Sequence, residues 1–210
     1  MKSTFLPIVS HSLSAAAVCA LLGASAFAQA PAPAAAAGAA VTSAAPAEKP
    51  KPLAAEDEKY VRNAINGFMF LIQMAKTLPA STDQAQAAQN RLRDTTVKDM
   101  TAAQGALNKI VQAHGLKLPT ELAGNDKNDV ERATKAFAKT PVKGFENKPL
   151  LDWTGEMLKE SKRLDHETEQ VGKTSQDADL KTFASNYNPS IRNIYTSSES
   201  LEKALKTKKK

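Results

Sequence analysis

The chain has 210 residues, 42% hydrophobic, 5% aromatic and 24% charged, with a net charge of +6, which fits one ordinary globular domain plus low-complexity additions. Without residues 1–28, whose one charge is Lys2, the chain carries +5; the last ten residues hold +4 of this and Lys49 with Lys51 a further +2, leaving −1 for the rest. A folded part so close to neutral argues against the basic surface stripe that nucleic-acid binding needs, and no nucleic acid is expected as a partner.

Lys2 precedes an apolar run over residues 13–22, followed by small residues and Ala26-Phe27-Ala28 ahead of Gln29. This is the layout of a secretory signal peptide, cleaved after residue 28. The run falls short of the roughly 20 residues that span a bilayer, so a cleaved leader is expected in place of an anchor. An exported, periplasmic location follows. Cys19, the one cysteine, lies inside that run, so residues 29–210 contain no thiol and make no disulfide. Residues 29–55 are rich in Ala and Pro, and Pro31, Pro33, Pro46, Pro50 and Pro52 interrupt any helix. The spacing reads as a semi-extended tether.

From residue 56 to about residue 77, Val61, Ala64, Ile65, Phe68, Leu71, Ile72 and Ala75 mark one wide apolar helical face, broadened by Met69, Phe70 and Met74. Glu56, Asp57 and Glu58 suit the positive end of its dipole. Leu78-Pro79 ends it, and Ser81, Thr82 and Asp83 offer caps for a second helix. That helix carries Met100, Ala103, Leu107, Ile110 and His114 at three-and-four spacing, with Gly105 on its outer face, Gly115 as its left-handed stop and Pro119 beyond. A shorter helix is expected over residues 126–139, with Val130, Ala133 and Phe137 inward. Asn147 and Pro149 open a long helix whose seam is Leu150, Trp153, Met157, Ser161, Leu164, Thr168 and Val171, closed by Gly172. The last runs from about residue 175 to 206 on Leu180, Phe183, Tyr187, Ile191, Ile194, Ser198, Leu201 and Leu205, with a kink expected at Pro189. The expected fold class is all-α: an antiparallel up-and-down four-helix bundle over residues 56–205, with one short extra helix across one end.

With the helices placed, residues 57–204 resemble a family of exported bacterial helical bundles described as ferritin-like and grouped as a domain of unknown function. The resemblance rests on His114-Gly115-Leu116-Lys117-Leu118-Pro119, on Phe145-Glu146, on Asp177-Ala178-Asp179-Leu180-Lys181-Thr182-Phe183-Ala184 and on Pro189-Ser190-Ile191-Arg192. It implies an Asp-His pair in the second helix, another in the fourth and a His after the proline of the last, which on facing helices could hold a metal. At those positions this chain has Asp99-Met100, Met157 or Ser161, and Ile194. The family's histidines are thus replaced, and neither a metal site nor a cofactor is expected. Asp165-His166 imitates the missing pair in letters, but its helical phase points it into solvent; His114 reads as an end charge or a partly buried filler.

There is no Gly-rich phosphate loop, no Glu-x-x-His and no nucleophile with a recognisable base. The expected function is a non-catalytic interaction or structural module of the cell envelope, with an envelope protein or a small ligand as partner. The alternative is a small-molecule or metal-binding bundle. Any pocket would be lined by Thr96, Met100, Met157, Ser161 and Ile194. The basic tail, residues 206–210, offers Lys206, Lys208, Lys209 and Lys210 for weak contact with an anionic membrane surface.

Overall fold

The computed structural model describes residues 51–80, 86–122, 124–140 and 146–207. The expected signal peptide, most of the linker, the cap candidates Ser81, Thr82 and Asp83, and Lys208 to Lys210 lie outside the described residues. Among those described, the periodicities become five α-helices and no strand: α1 Ala55–Thr77, α2 Ala87–Ala113, α3 Gly124–Phe137, α4 Lys148–Thr174 and α5 Ala178–Thr207. The wide face of α1 forms the centre of the core, where Val61, Ala64, Phe68, Leu71, Met74 and Ala75 are fully buried. Burying a side chain of the size of Phe68 or Leu71 is worth about 1.5–3 kcal/mol, and it is this face that gives the other helices something to pack against.

The helix ends follow their residues. At the C-terminus of α2, Gly115 is left-handed (φ 68°), its N–H donates to the Gln112 carbonyl at 3.1 Å, and Leu116 N–H donates to the Val111 carbonyl at 3.1 Å. These two bonds make a complete Schellman stop. Asp177 caps α5, its Oδ1 accepting the Leu180 N–H at 2.9 Å. Pro149 sits in the first turn of α4 behind Asn147, whose side chain makes no capping bond.

Each long helix packs most extensively on two of the others: α1 on α2 and α4, and α5 on α2 and α4. Cross-helix contacts fix their directions. Tyr60 meets Thr168 while Met74 meets Trp153, so α1 and α4 are antiparallel. Asp165 meets Arg192 while Gly172 meets Ala184, so α4 and α5 are antiparallel too. His114 at the end of α2 lies against Asp177 at the start of α5, and against Lys51 just ahead of α1.

Four sequence expectations are corrected here. The short helix is set two residues earlier than its stripe suggested, none of its side chains is fully buried, and Val130, Ala133 and Phe137 only lean on the core. It does not lie across one end. Asn66 Nδ2 donates to Asp126 Oδ2 and Arg132 pairs with Glu156, so α3 runs along the α1–α4 flank. It carries the chain from the end where α2 stops, beside Lys51, to the end where α4 starts, where Trp153 meets Met74. A plain up-and-down order cannot need this, because a helix following α2 through a short turn would run back beside it. Third, Gly172 does not close α4, which continues to Thr174. A Cβ at Gly172 would lie 3.2 Å from the Ala184 Cβ, so the glycine is there to let α5 approach. Fourth, Asp165 is not solvated: it is 9% exposed and held by Arg192 Nε at 3.0 Å, while His166 is exposed as expected. Pro189 stays inside α5, which runs from Ala178 to Thr207 as one helix; its missing N–H leaves the Ser185 carbonyl without its usual partner.

Candidate functional site

Three places in the described residues combine polar groups with burial or open space. The first is the middle of the bundle. Thr96 and Met100 from α2, Met157 and Ser161 from α4, and Ile194 from α5 are all fully buried, and Met100, Met157 and Ile194 belong to the continuous apolar core. Asp99, the remaining family-like position, is half-buried and outside that core. Ser161 Oγ donates to the Met157 carbonyl one turn back at 2.6 Å, spending its hydrogen on its own helix. Among the described residues Thr96 Oγ1 has no hydrogen-bond partner, and neither has Ser198 Oγ on α5. Among the described residues no three His, Cys, Asp or Glu side chains come together in a way that could hold a metal ion.

The second place is the flank where α3 rests on α4. Because α3 presents only Val130, Ala133 and Phe137 to the core, it leaves clefts of about 720 and 650 Å³, which share Arg132, Ala136, Lys148, Pro149 and Asp152 in their walls. Met74, Trp153 and Gly155 line the second of these. Most charges there are already paired: Arg132 with Asp129 and Glu156, Lys135 with Glu131, and Lys148 with Asp152. The sequence expectation put the pocket among the mid-bundle residues. These clefts lie on the flank, where a helix with a thin apolar stripe does not close against its neighbours. Ile194 does reach a third opening, of about 450 Å³, between α2 and α5.

The third place is the end where α1 and α5 begin and α2 and α4 finish. His114, the α2 cap residue, has Nδ1 2.6 Å from the Lys51 carbonyl oxygen and Nε2 3.2 Å from Asp177 Oδ2. Ser175 Oγ donates to Asp57 Oδ2 at 2.9 Å and accepts the Asp177 N–H at 3.0 Å, which accounts for a carboxylate only 5% exposed. One helical turn along α1, Tyr60 Oη lies 3.1 Å from Thr168 Oγ1. Burial pushes the Tyr60 phenol far above its ordinary value, the Thr168 bond opposing this. The nearby Arg163 guanidinium, between Glu160 and Glu167, also reaches the Asn63 carbonyl at 3.3 Å.

Neither Tyr60–Thr168 nor Asp57–Ser175 stands out in the sequence, because these pairs join residues 108 and 118 positions apart; what the pattern does show is that Thr168 falls in the α4 seam and Ser175 just ahead of α5, where a buried polar side chain must find a partner. Lys206, one of the four tail lysines, pairs with Glu202 at 3.0 Å and is not a free cation. No helix among the described residues is long and apolar enough to cross a membrane. No protein-family model matches the chain, and neither a curated protein nor a solved structure does so.

Proposed function

We propose that this chain is an exported, non-catalytic four-helix bundle of the bacterial cell envelope, of ferritin-like topology, acting by holding a partner and not by turning over a substrate. Support for export is the leader-like layout of residues 1–28 and the tether-like composition after it. Support for the topology is the path of α3: four long helices running up, down, down and up, with one lengthwise crossover between the second and third, is the order of ferritin-like bundles. The observation that carries the functional reading is the filling of the bundle's middle. Met100, Met157 and Ile194 occupy the positions where facing helices of such bundles place ligands, and each is fully buried in apolar contact. Side chains of this kind supply cohesion and no proton for acid-base chemistry, and the thioethers of Met100 and Met157 are poor ligands for iron, manganese or zinc. In this reading the interior is scaffold and any recognition lies on the flanks and ends.

The test is purified protein comprising residues 29–210 in broad hydrolase and oxidase screens, where no turnover above a heat-denatured control is expected. Reproducible turnover that survives repurification would sink the reading.

A second reading, binding of a small molecule, is favoured by the clefts under α3. Gly155 has no heavy atom within 4 Å of where its Cβ would stand, so a side chain can start there in open space and Gly155→Phe puts a ring into the cleft. A ligand that raises the melting temperature of the native protein and not of Gly155→Phe is bound there. Equal shifts in both proteins would place it elsewhere.

A further inference from the structure

We propose that His114 is a proton-operated latch, which fastens the segment entering α1 to the bundle when the imidazole is charged and lets it go when the imidazole is neutral. The geometry asks for two protons on one ring. Nδ1 is 2.6 Å from the Lys51 carbonyl oxygen, and Nε2 is 3.2 Å from Asp177 Oδ2. A peptide carbonyl has no hydrogen to give, and neither has an ionised carboxylate. Neutral imidazole carries one N–H, so it can satisfy one of these oxygens and must turn a nitrogen lone pair on the other. Only the imidazolium donates to both.

The surroundings make the ring a junction. His114 closes the Schellman stop of α2, so its backbone is fixed by bonds to the Ile110 and Val111 carbonyls, both 3.2 Å away. Asp177 is equally fixed, since its other oxygen caps the Leu180 N–H. Both partners on the bundle side are therefore held by their own helix ends. Residues 51–54, by contrast, precede the first turn of α1 and belong to no helix. The Ala54 carbonyl accepts the Glu58 N–H of α1 at 2.9 Å, and ahead of it the segment is held by the Lys51 carbonyl on His114, while Leu53 leans on the core.

When the proton is lost, the remaining N–H goes to the carboxylate, because a charge-assisted bond is stronger than one to a neutral carbonyl. Nδ1 then faces the Lys51 oxygen with a lone pair, and the segment is released. The charged groups at this end are Asp57 and Glu58 in the first turn of α1, Arg62, Lys51, Lys117, Lys173 near the end of α4, and Asp177 and Asp179 at the start of α5. Asp57 is occupied by Ser175, Glu58 by Arg62, whose guanidinium also donates to the Lys117 carbonyl, and Lys173 by Glu169. Among the described residues, Asp177 is the one acid within ion-pair distance of the ring.

The test is ¹⁵N relaxation of the Lys51 amide in the chain comprising residues 29–210, at pH 5.5 and 7.5. In the native protein the order parameter is expected to fall from about 0.85, rigid backbone, to below about 0.6 as pH rises. Asp177→Asn gives the discriminating arm. Its Oδ1 still caps Leu180, and its amide now offers a hydrogen to Nε2, so neutral His114 accepts there and donates Nδ1–H to Lys51. That variant is expected to hold the segment at pH 7.5. His114→Ala is expected to be loose at both. A Lys51 amide equally ordered at both pH values in the native protein would overturn the latch, as would an Asp177→Asn protein that loosens over the same range as the native one.

Discussion

Replacing Trp153 with Ala is expected to lower the unfolding free energy by about 3–5 kcal/mol, the range for removing a large aromatic from a packed core. Trp153 is 1% exposed, and its Nε1 donates to the Met74 carbonyl at 2.7 Å, joining the first turns of α4 to the last turn of α1. The loss has two parts that a second variant separates. Trp153→Phe keeps much of the apolar body but leaves Met74 O with the Thr77 hydroxyl as its remaining side-chain donor, at 2.7 Å, and should cost clearly less than the alanine. Because this is the one tryptophan in the chain, urea unfolding must be followed by far-ultraviolet circular dichroism, reading the midpoint at constant slope. If the alanine variant costs no more than a surface substitution, about 0.5 kcal/mol, then α4 does not pack on α1 in this way.

The second large effect has the opposite sign. Thr96→Val and Ser198→Ala are each expected to stabilise the protein by about 1–2 kcal/mol, since each removes a fully buried hydroxyl that has no partner. Thr96→Val keeps the side-chain shape, so no cavity offsets the gain; Ser198→Ala removes one atom and gains somewhat less. Ser161→Ala is the control. Its hydroxyl is equally buried but donates to the Met157 carbonyl at 2.6 Å, so its removal should be neutral or mildly destabilising. Thermal unfolding of the three variants decides the matter. If Thr96→Val and Ser198→Ala both destabilise by as much as Ser161→Ala or more, the two hydroxyls are satisfied after all, for example by a buried water.

How far the sequence carried these conclusions varies from element to element. The three-and-four spacing marked Met100, Ala103 and Leu107 as the buried face of α2, although the next buried residue is Val111 and Ile110 is only half-buried, and Gly115 with Pro119 marked its stop, because left-handed backbone and a missing N–H act locally. The inward set of α4, from Trp153 through Met157, Ser161, Leu164 and Thr168, is buried as its period implies. Local signals fail where the answer depends on another helix. Gly172 has the look of a terminator and is in fact a point of close approach to Ala184, which a single chain's spacing does not reveal. The phase of Asp165, beside the seam, points to solvent, but its neighbour across the groove is Arg192, 27 residues on. The path of α3 escaped for the same reason. Its weak stripe describes how firmly it is held and says nothing of the direction in which it crosses. Of the mid-bundle residues, Thr96, Met100, Met157, Ser161 and Ile194 are inward and buried as their period required. Whether such residues leave space among them depends on side-chain volumes from four helices at once.

The alkaline limit follows from Tyr60. Its folded-state value is raised, so the neutral phenol is favoured in the folded protein. The resulting stability is fully present below the ordinary tyrosine value of about 10 and is lost as pH rises above it. A Tyr60→Phe protein is expected to lose less stability between pH 9 and 11 than the native one in urea titrations, and an identical loss would remove Tyr60 as the cause.

The central claim, an exported bundle whose interior is apolar scaffold, is tested most directly by native mass spectrometry of the full chain expressed with its own N-terminus and recovered from the periplasm. The account predicts a chain that begins at Gln29, as the Ala26-Phe27-Ala28 site requires, with no stoichiometric iron, manganese or zinc. A chain that keeps Met1, or one that carries a transition metal in whole-number ratio, would contradict it.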